Sequence, residues 1–193
     1  SYYPRFGIDA VTALSGIVDV LLMAKDAIGR FYNPEFDFSN MGDMVPGQGY
    51  LVKVREDIGL IYNLENELVA SPIHRYIQPG ILPIHSATDN NMSLLVITDD
   101  GVQGELGVYT NGNLIGSGVI QNGKCGIAVW GDDPTTVEID GAVTGEKLTI
   151  KHSDFNGLQD AKYENLLGSG QYSTDDFQVA RLSETVSHPD AFG

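Results

Sequence analysis

Two Asn-Gly turns set between apolar runs constrain this chain more than any other feature of its sequence. Asn111-Gly112-Asn113 separates Glu105–Thr110 from Leu114–Ile120, and Gln121-Asn122-Gly123-Lys124 separates that run from Cys125–Trp130. A tight hairpin follows the right-handed twist of its strands when both central residues take positive φ, which Asn and Gly tolerate better than other residues. Three successive antiparallel strands are therefore expected. Further short runs, Ser93–Thr98, Val137–Ile139, Lys147–His152 and Phe177–Leu182, read as strands of the same body. Residues 92–193 are thus predicted to form an antiparallel meander or an immunoglobulin-like β-sandwich, with Phe177–Leu182 returning to the sheet after an irregular polar stretch.

The N-terminal part has a different rhythm. Asp9 is placed to cap a short helix over residues 10–16, with Val11, Leu14 and Ile17 on one face. The pattern then changes to strand period: Val18–Ala24, a turn at Lys25–Gly29, and a return at Arg30–Tyr32. Pro46-Gly47 suits a type II turn, because glycine accepts the positive φ needed at its third position. Tyr50–Val54 and Ile58–Tyr62 follow as strands. Residues 1–65 are read as one small β-rich lobe with a short helix. Residues 66–91, which hold Pro72, Pro79 and Pro83, are read as an ordered connector. The fold class expected is mainly β, in two small lobes.

Composition narrows the function. A net charge of -15, with 26 acidic and only 11 basic side chains among 193 residues, opposes binding to a phosphate backbone, so nucleic acid is excluded as a partner. The longest apolar stretch, Ile17–Ala24, is broken by Asp19 and is too short to span a bilayer. Cys125 is the single cysteine, which rules out an intrachain disulfide, and its apolar setting predicts a small buried hydrophobe instead of a nucleophile. The chain begins at Ser1 with no initiator Met or signal peptide, and the expectation is a processed product.

No organised catalytic motif stands out. The four histidines, His74, His85, His152 and His188, are scattered, and with 26 carboxylates any pair of acids can be nominated without specificity. Gly116-Ser117-Gly118 lies inside a strand and does not open a helix, so it does not read as a phosphate loop. The acidic stretch Gly131–Gly141 places Asp132, Asp133, Glu138 and Asp140 within eleven residues and nominates Ca²⁺, the only cofactor considered. The competing reading is a turn closed by Asp side chains on nearby backbone N–H groups. Eight aromatic residues, Tyr2, Tyr3, Phe31, Tyr32, Phe36, Phe38, Tyr50 and Tyr62, crowd the first lobe and serve either as core or as rings for stacking on sugars.

With these segments in view, a resemblance becomes visible. Val20-Leu21-Leu22-Met23-Ala24-Lys25-Asp26, Gly29-Arg30-Phe31-Tyr32, Pro34-Glu35-Phe36 and Gly49-Tyr50-Leu51-Val52-Lys53-Val54 resemble a repeat near the C-termini of large secreted proteins of Bacteroidota and related bacteria. Residues 91–150, with Asn91-Met92-Ser93-Leu94-Leu95 and Cys125-Gly126-Ile127-Ala128-Val129-Trp130-Gly131-Asp132-Asp133-Pro134, look like the β-domain that follows it. In that family a stretch similar to His188–Gly193 leads into a type IX secretion sorting domain, removed on release or anchoring. The resemblance implies a secreted, extracellular or cell-surface product, and it transfers no catalytic residue. The repeat of that family opens with a Trp-containing strand that has no counterpart before Ser1-Tyr2-Tyr3-Pro4, which suggests an unpaired sheet edge able to accept a strand from a neighbour. The interaction edge expected from sequence comprises Tyr2, Tyr3 and Phe6, together with Phe177 and Val179. The function expected is a non-enzymatic structural or adhesion module, a filament or surface-layer subunit that self-associates or meets other cell-surface proteins. The alternative is a glycan-binding accessory module of a larger secreted hydrolase.

Overall fold

The computed structural model describes residues 1–64, 76–154 and 157–183. The chain is mainly β, with one short α-helix near the N-terminus, and it divides into two compact units, Ser1–Ile77 and Gln78–Gly193.

In the first unit, β1 (Ile8–Asp9) leads into α1 (Ala10–Ala13) and a 3₁₀ turn at Ser15–Ile17. Asp9 caps α1 as expected: its Oδ1 accepts from the amides of Val11 at 3.0 Å and Thr12 at 3.4 Å. Four strands then form a sheet in the order β4 (Phe38–Ser39), β3 (Phe31–Asn33), β2 (Leu21–Asp26), β6 (Tyr50–Val54), while β5 (Asp43–Met44) pairs with β1. The β2–β3 turn is fastened by Asp26, whose carboxylate accepts from the amides of Ile28 and Arg30 and from Arg30 Nε at 2.6 Å. Gly47 takes φ +81°, as the turn chemistry of Pro46-Gly47 requires. Strand β2 begins three residues later than expected, because Val20 N–H closes a turn on Ile17 O at 3.1 Å. Ile58–Tyr62 forms no strand, although Asn63 N–H beyond it reaches Ala13 O at 3.0 Å. Apolar side chains of α1, β1, β2 and β5, with Tyr2, Tyr32 and Met41, make the core of this unit.

The second unit holds two four-stranded sheets. One runs β10 (Lys124–Trp130), β7 (Asn91–Ile97), β14 (Phe177–Leu182), β13 (Tyr163–Leu167); the other runs β12 (Gly157–Asp160), β11 (Thr149–Asp154), β8 (Glu105–Thr110), β9 (Asn113–Val119). Both Asn-Gly turns form, with φ of 48° and 83° at Asn111 and Gly112 and of 49° and 73° at Asn122 and Gly123. Only the first joins a hairpin, β8 with β9. The second closes on the single Gln121–Lys124 bridge and carries the chain from one sheet to the other, so the expected run of three successive antiparallel strands is broken. Alternate residues of both sheets point into one core: Met92, Leu94 and Val96 from β7, Leu106 and Val108 from β8, Cys125, Ile127 and Val129 from β10. Each such aliphatic side chain contributes about 2 kcal/mol on burial, so a core of this size needs no disulfide. The body is a sandwich, but not a pure meander. β14 inserts between β7 and β13 and runs parallel to β7, with Val179 opposite Leu95.

Two sequence expectations are corrected in this unit. Val137–Ile139 is not a strand: it lies in an irregular exposed loop between β10 and β11. The second half of the expected connector, residues 78–91, groups with the second unit, where Glu105 binds its backbone. Of the first half, residues 66–75 lie outside the described residues, as do His74 and His188.

Candidate functional site

The sheet edges named from sequence are not the open ones. Tyr2 is fully buried, its ring meeting Tyr62 edge-on at 4.8 Å and Tyr50 at 6.5 Å. Its backbone is already paired, donating to Gln48 O at 3.0 Å and accepting from Gly47 N at 2.9 Å. Tyr3 and Phe6 are exposed but belong to no strand. Phe177 and Val179 sit on β14, which has a neighbour on each side and offers no free edge. A long-range pairing with β7 and β13 replaces the terminal edge that sequence suggested.

The ends of the sheets lie elsewhere. β6 closes the first unit's sheet with Leu51 and Lys53 exposed, and the lysine is a charge of the kind that guards an edge against pairing. β13 closes one sheet of the second unit, and its residues from Glu164 to Leu167 are all exposed, Leu166 by 44% and Leu167 by 46%. A register shift between Asn165 and Leu167 bends it. β12, which closes the other sheet, exposes Leu158. Beside β13 runs a cleft of about 710 Å³ lined in part by Tyr109, Lys147, Lys151, Lys162 and Tyr163. Three of the chain's 11 basic side chains thus share one groove on a protein of charge -15. Lys151 is held there, its Nζ 3.3 Å from Asp160 Oδ1 and 5.2 Å from the centre of the Tyr109 ring. Tyr163 donates its hydroxyl proton to Leu148 O at 2.7 Å.

The acidic loop is a closed turn. Asp132 Oδ1 accepts from Asp140 N–H, and Asp140 Oδ1 accepts from Asp133 N–H, both at 3.0 Å. Asp133 Oδ1 accepts from the amide and hydroxyl of Thr135 at 2.8 and 2.7 Å, and these bonds hold its carboxyl below the ordinary value. Three of the four carboxylates nominated for Ca²⁺ therefore satisfy backbone N–H groups, as the turn reading expected. Among the described residues no three His, Cys, Asp or Glu side chains converge as a metal ion would need. Glu138 points from an exposed tip, between Val137 and Ile139, which are exposed by 103% and 72%.

Other chemically capable groups are engaged in holding the fold. Burial pushes the Cys125 thiol far up, aided by the nearby Glu105 charge. His152 is buried with Nε2 2.7 Å from Gln103 O, where it fastens the loop before β8. Clefts of about 730 and 550 Å³ flank that loop and share Ile81 and residues 100–104. Of the aromatic residues considered for sugar stacking, Tyr2, Phe31, Tyr32 and Phe38 are buried, and Tyr3 is open to solvent. The three-lysine groove was missed from sequence because Lys151 lies on β11, Lys147 just before it and Lys162 in the link between β12 and β13, and only the fold turns them to one side.

Comparison with known protein families, with curated proteins and with solved structures finds no match for this chain.

Proposed function

We propose that this chain is a non-enzymatic module of the cell exterior that works through protein contact, by accepting an added strand at the β13 edge. The observation that carries this reading is an edge strand exposed from Glu164 to Leu167, with two apolar side chains at its end and Glu164 as its one charge. Such edges present unpaired N–H and C=O groups, and natural proteins ordinarily guard them. The exterior location is supported by the resemblance of residues 18–54 and 91–150 to modules of type IX secreted proteins, and by an acidic surface suited to solubility there. Self-association into a filament or surface layer is the form of contact favoured. Glycan binding is the competing reading, and Tyr3 is its exposed ring.

Electron microscopy and sedimentation velocity of the purified chain test this directly. Fibres or concentration-dependent association are expected, and both should disappear when Leu166→Lys and Leu167→Lys are introduced together without loss of Tm. A chain that stays monomeric at every concentration, or association indifferent to those substitutions, would move glycan binding to the front.

A further inference from the structure

Thr136–Gly141 alternates apolar and acidic residues, Val137-Glu138-Ile139-Asp140, with the period of a strand, yet it joins no sheet. Its ends are fixed. Asp132 N–H donates to Ala142 O and Ala142 N–H to Trp130 O, both at 3.0 Å, the Asp132–Asp140 bond crosses the base, and His85 Nε2 lies 2.8 Å from Asp140 O. Between those anchors one bond lies within the tip, from the Thr136 hydroxyl to Glu138 O at 2.9 Å. Among the described residues no amide of Val137, Glu138 or Ile139 donates a hydrogen bond, and both apolar side chains face solvent. A strand-patterned segment held by its base has already lost much of the freedom that binding would otherwise remove.

The same unit carries the surface that complements it. The β13 edge supplies main-chain groups, Leu158, Leu166 and Leu167 supply exposed apolar contact, and Lys147 and Lys162 are exposed without an acidic partner among the described residues. On a chain of net charge -15, a patch carrying three lysines is where an acidic segment of another copy meets attraction instead of repulsion.

We propose that Val137–Ile139 of one copy adds to the β13 edge of a second, with Glu138 facing Lys147 and Lys162 and the two apolar side chains meeting the exposed leucines. Tip and edge are different surfaces, so the contact is heterologous and repeats head to tail into an open chain. This rests on the edge-addition reading above and names its partner as the protein itself. Association is favoured at moderate salt, where repulsion between whole copies is screened while close contacts persist.

The test uses two full-length variants, Ile139→Cys and Leu167→Cys, mixed and treated with a short bismaleimide at moderate salt; buried Cys125 does not compete. Cross-linked dimers are expected from the mixture and not from either variant alone. A second arm measures sedimentation of Val137→Lys/Ile139→Lys and of Lys147→Glu/Lys162→Glu, each expected to weaken association at least tenfold, with Glu138→Lys restoring binding to the latter. Homodimers from a single cysteine variant, or no dimers from the mixture, would overturn the proposal. If the β13 lysine variant dissociates while the tip variant associates normally, this inference fails and the edge reading stands. A wild-type chain that never associates removes both.

Discussion

Both carboxylate oxygens of Glu105 accept from the amide of Ile81, at 3.0 Å each, and the same carboxylate also takes the amides of Gly80 at 2.5 Å and Leu82 at 2.7 Å. A buried side chain at the start of β8 thereby ties down three successive residues that carry no secondary structure of their own. Hydrogen bonds to a charged acceptor are worth about 1.5–3 kcal/mol, and orphaned buried donors add to the cost of losing one. Glu105→Ala is therefore expected to lower stability by about 3 kcal/mol in urea unfolding, with Glu105→Gln losing less. Faster hydrogen exchange at Ile81 and Leu82 should accompany both, and unchanged exchange there would refute the tie.

The two sheets approach most closely where β9 meets β10. A Cβ on Gly116 would lie 2.3 Å from Ala128 O, and one on Gly118 would lie 2.8 Å from Cys125 Sγ. Backbone oxygen yields less readily than a side-chain tip, so Gly116→Ala is the more severe change. Overpacking of this kind costs about 1–3 kcal/mol. A clear fall in Tm for Gly116→Ala, larger than for Gly118→Ala, is the expected calorimetric result.

Cys125 predicts a chemical property. Its thiol is fully buried and its pKa is pushed far up, so the thiolate that would react is absent at neutral pH. Maleimide labelling should be negligible in the native chain and complete in denaturant. Rapid native labelling would show that the β10 core opens far more often than its packing implies.

Asp133 gives the acidic loop a pH dependence. Hydrogen bonds from the Thr135 hydroxyl and amide lower its folded pKa below the ordinary 3.8, so its contribution is present above that value. It is lost as pH falls through the lowered folded value, because protonation then removes the acceptor. An NMR titration should show the Asp133 carboxyl midpoint below 3.8, with the Thr135 amide shifting in step. In Thr135→Ala, which keeps one of the two bonds, the midpoint should move upward.

The sequence made most legible what short-range chemistry decides. Asn111-Gly112 and Asn122-Gly123 fix their turns through local φ, and Asp9 caps its helix within three residues, so these appeared where expected. That β10 leaves β9 to pair with β7 in the other sheet is decided at longer range. Val137–Ile139 misled because alternation signals a strand only when another strand is there to pair, and bonds between Asp132 and Asp140 close the segment into a loop first. Phe177–Leu182 was found as a strand but misplaced as an edge, since its parallel partner β7 lies some eighty residues earlier and nothing local announces it. The grip of Glu105 on Ile81 was invisible for the same reason, since it joins residues distant in the chain, whereas the three-lysine groove gathers residues close in sequence whose common side only the course of the folded chain decides.

The parallel insertion of β14 also orders events in time. A chain emerging N-terminus first can form the Asn111-Gly112 hairpin and the β7–β10 pair early, but β7 and β13 remain strangers until residues 177–182 arrive to lie between them. Closure of the sandwich therefore waits on nearly the last described segment, and contacts of such long sequence separation slow folding. Until then the sheet keeps a gap along β7, so a chain halted before residue 177 is left with an unpaired strand edge where the finished sandwich has its interior pair.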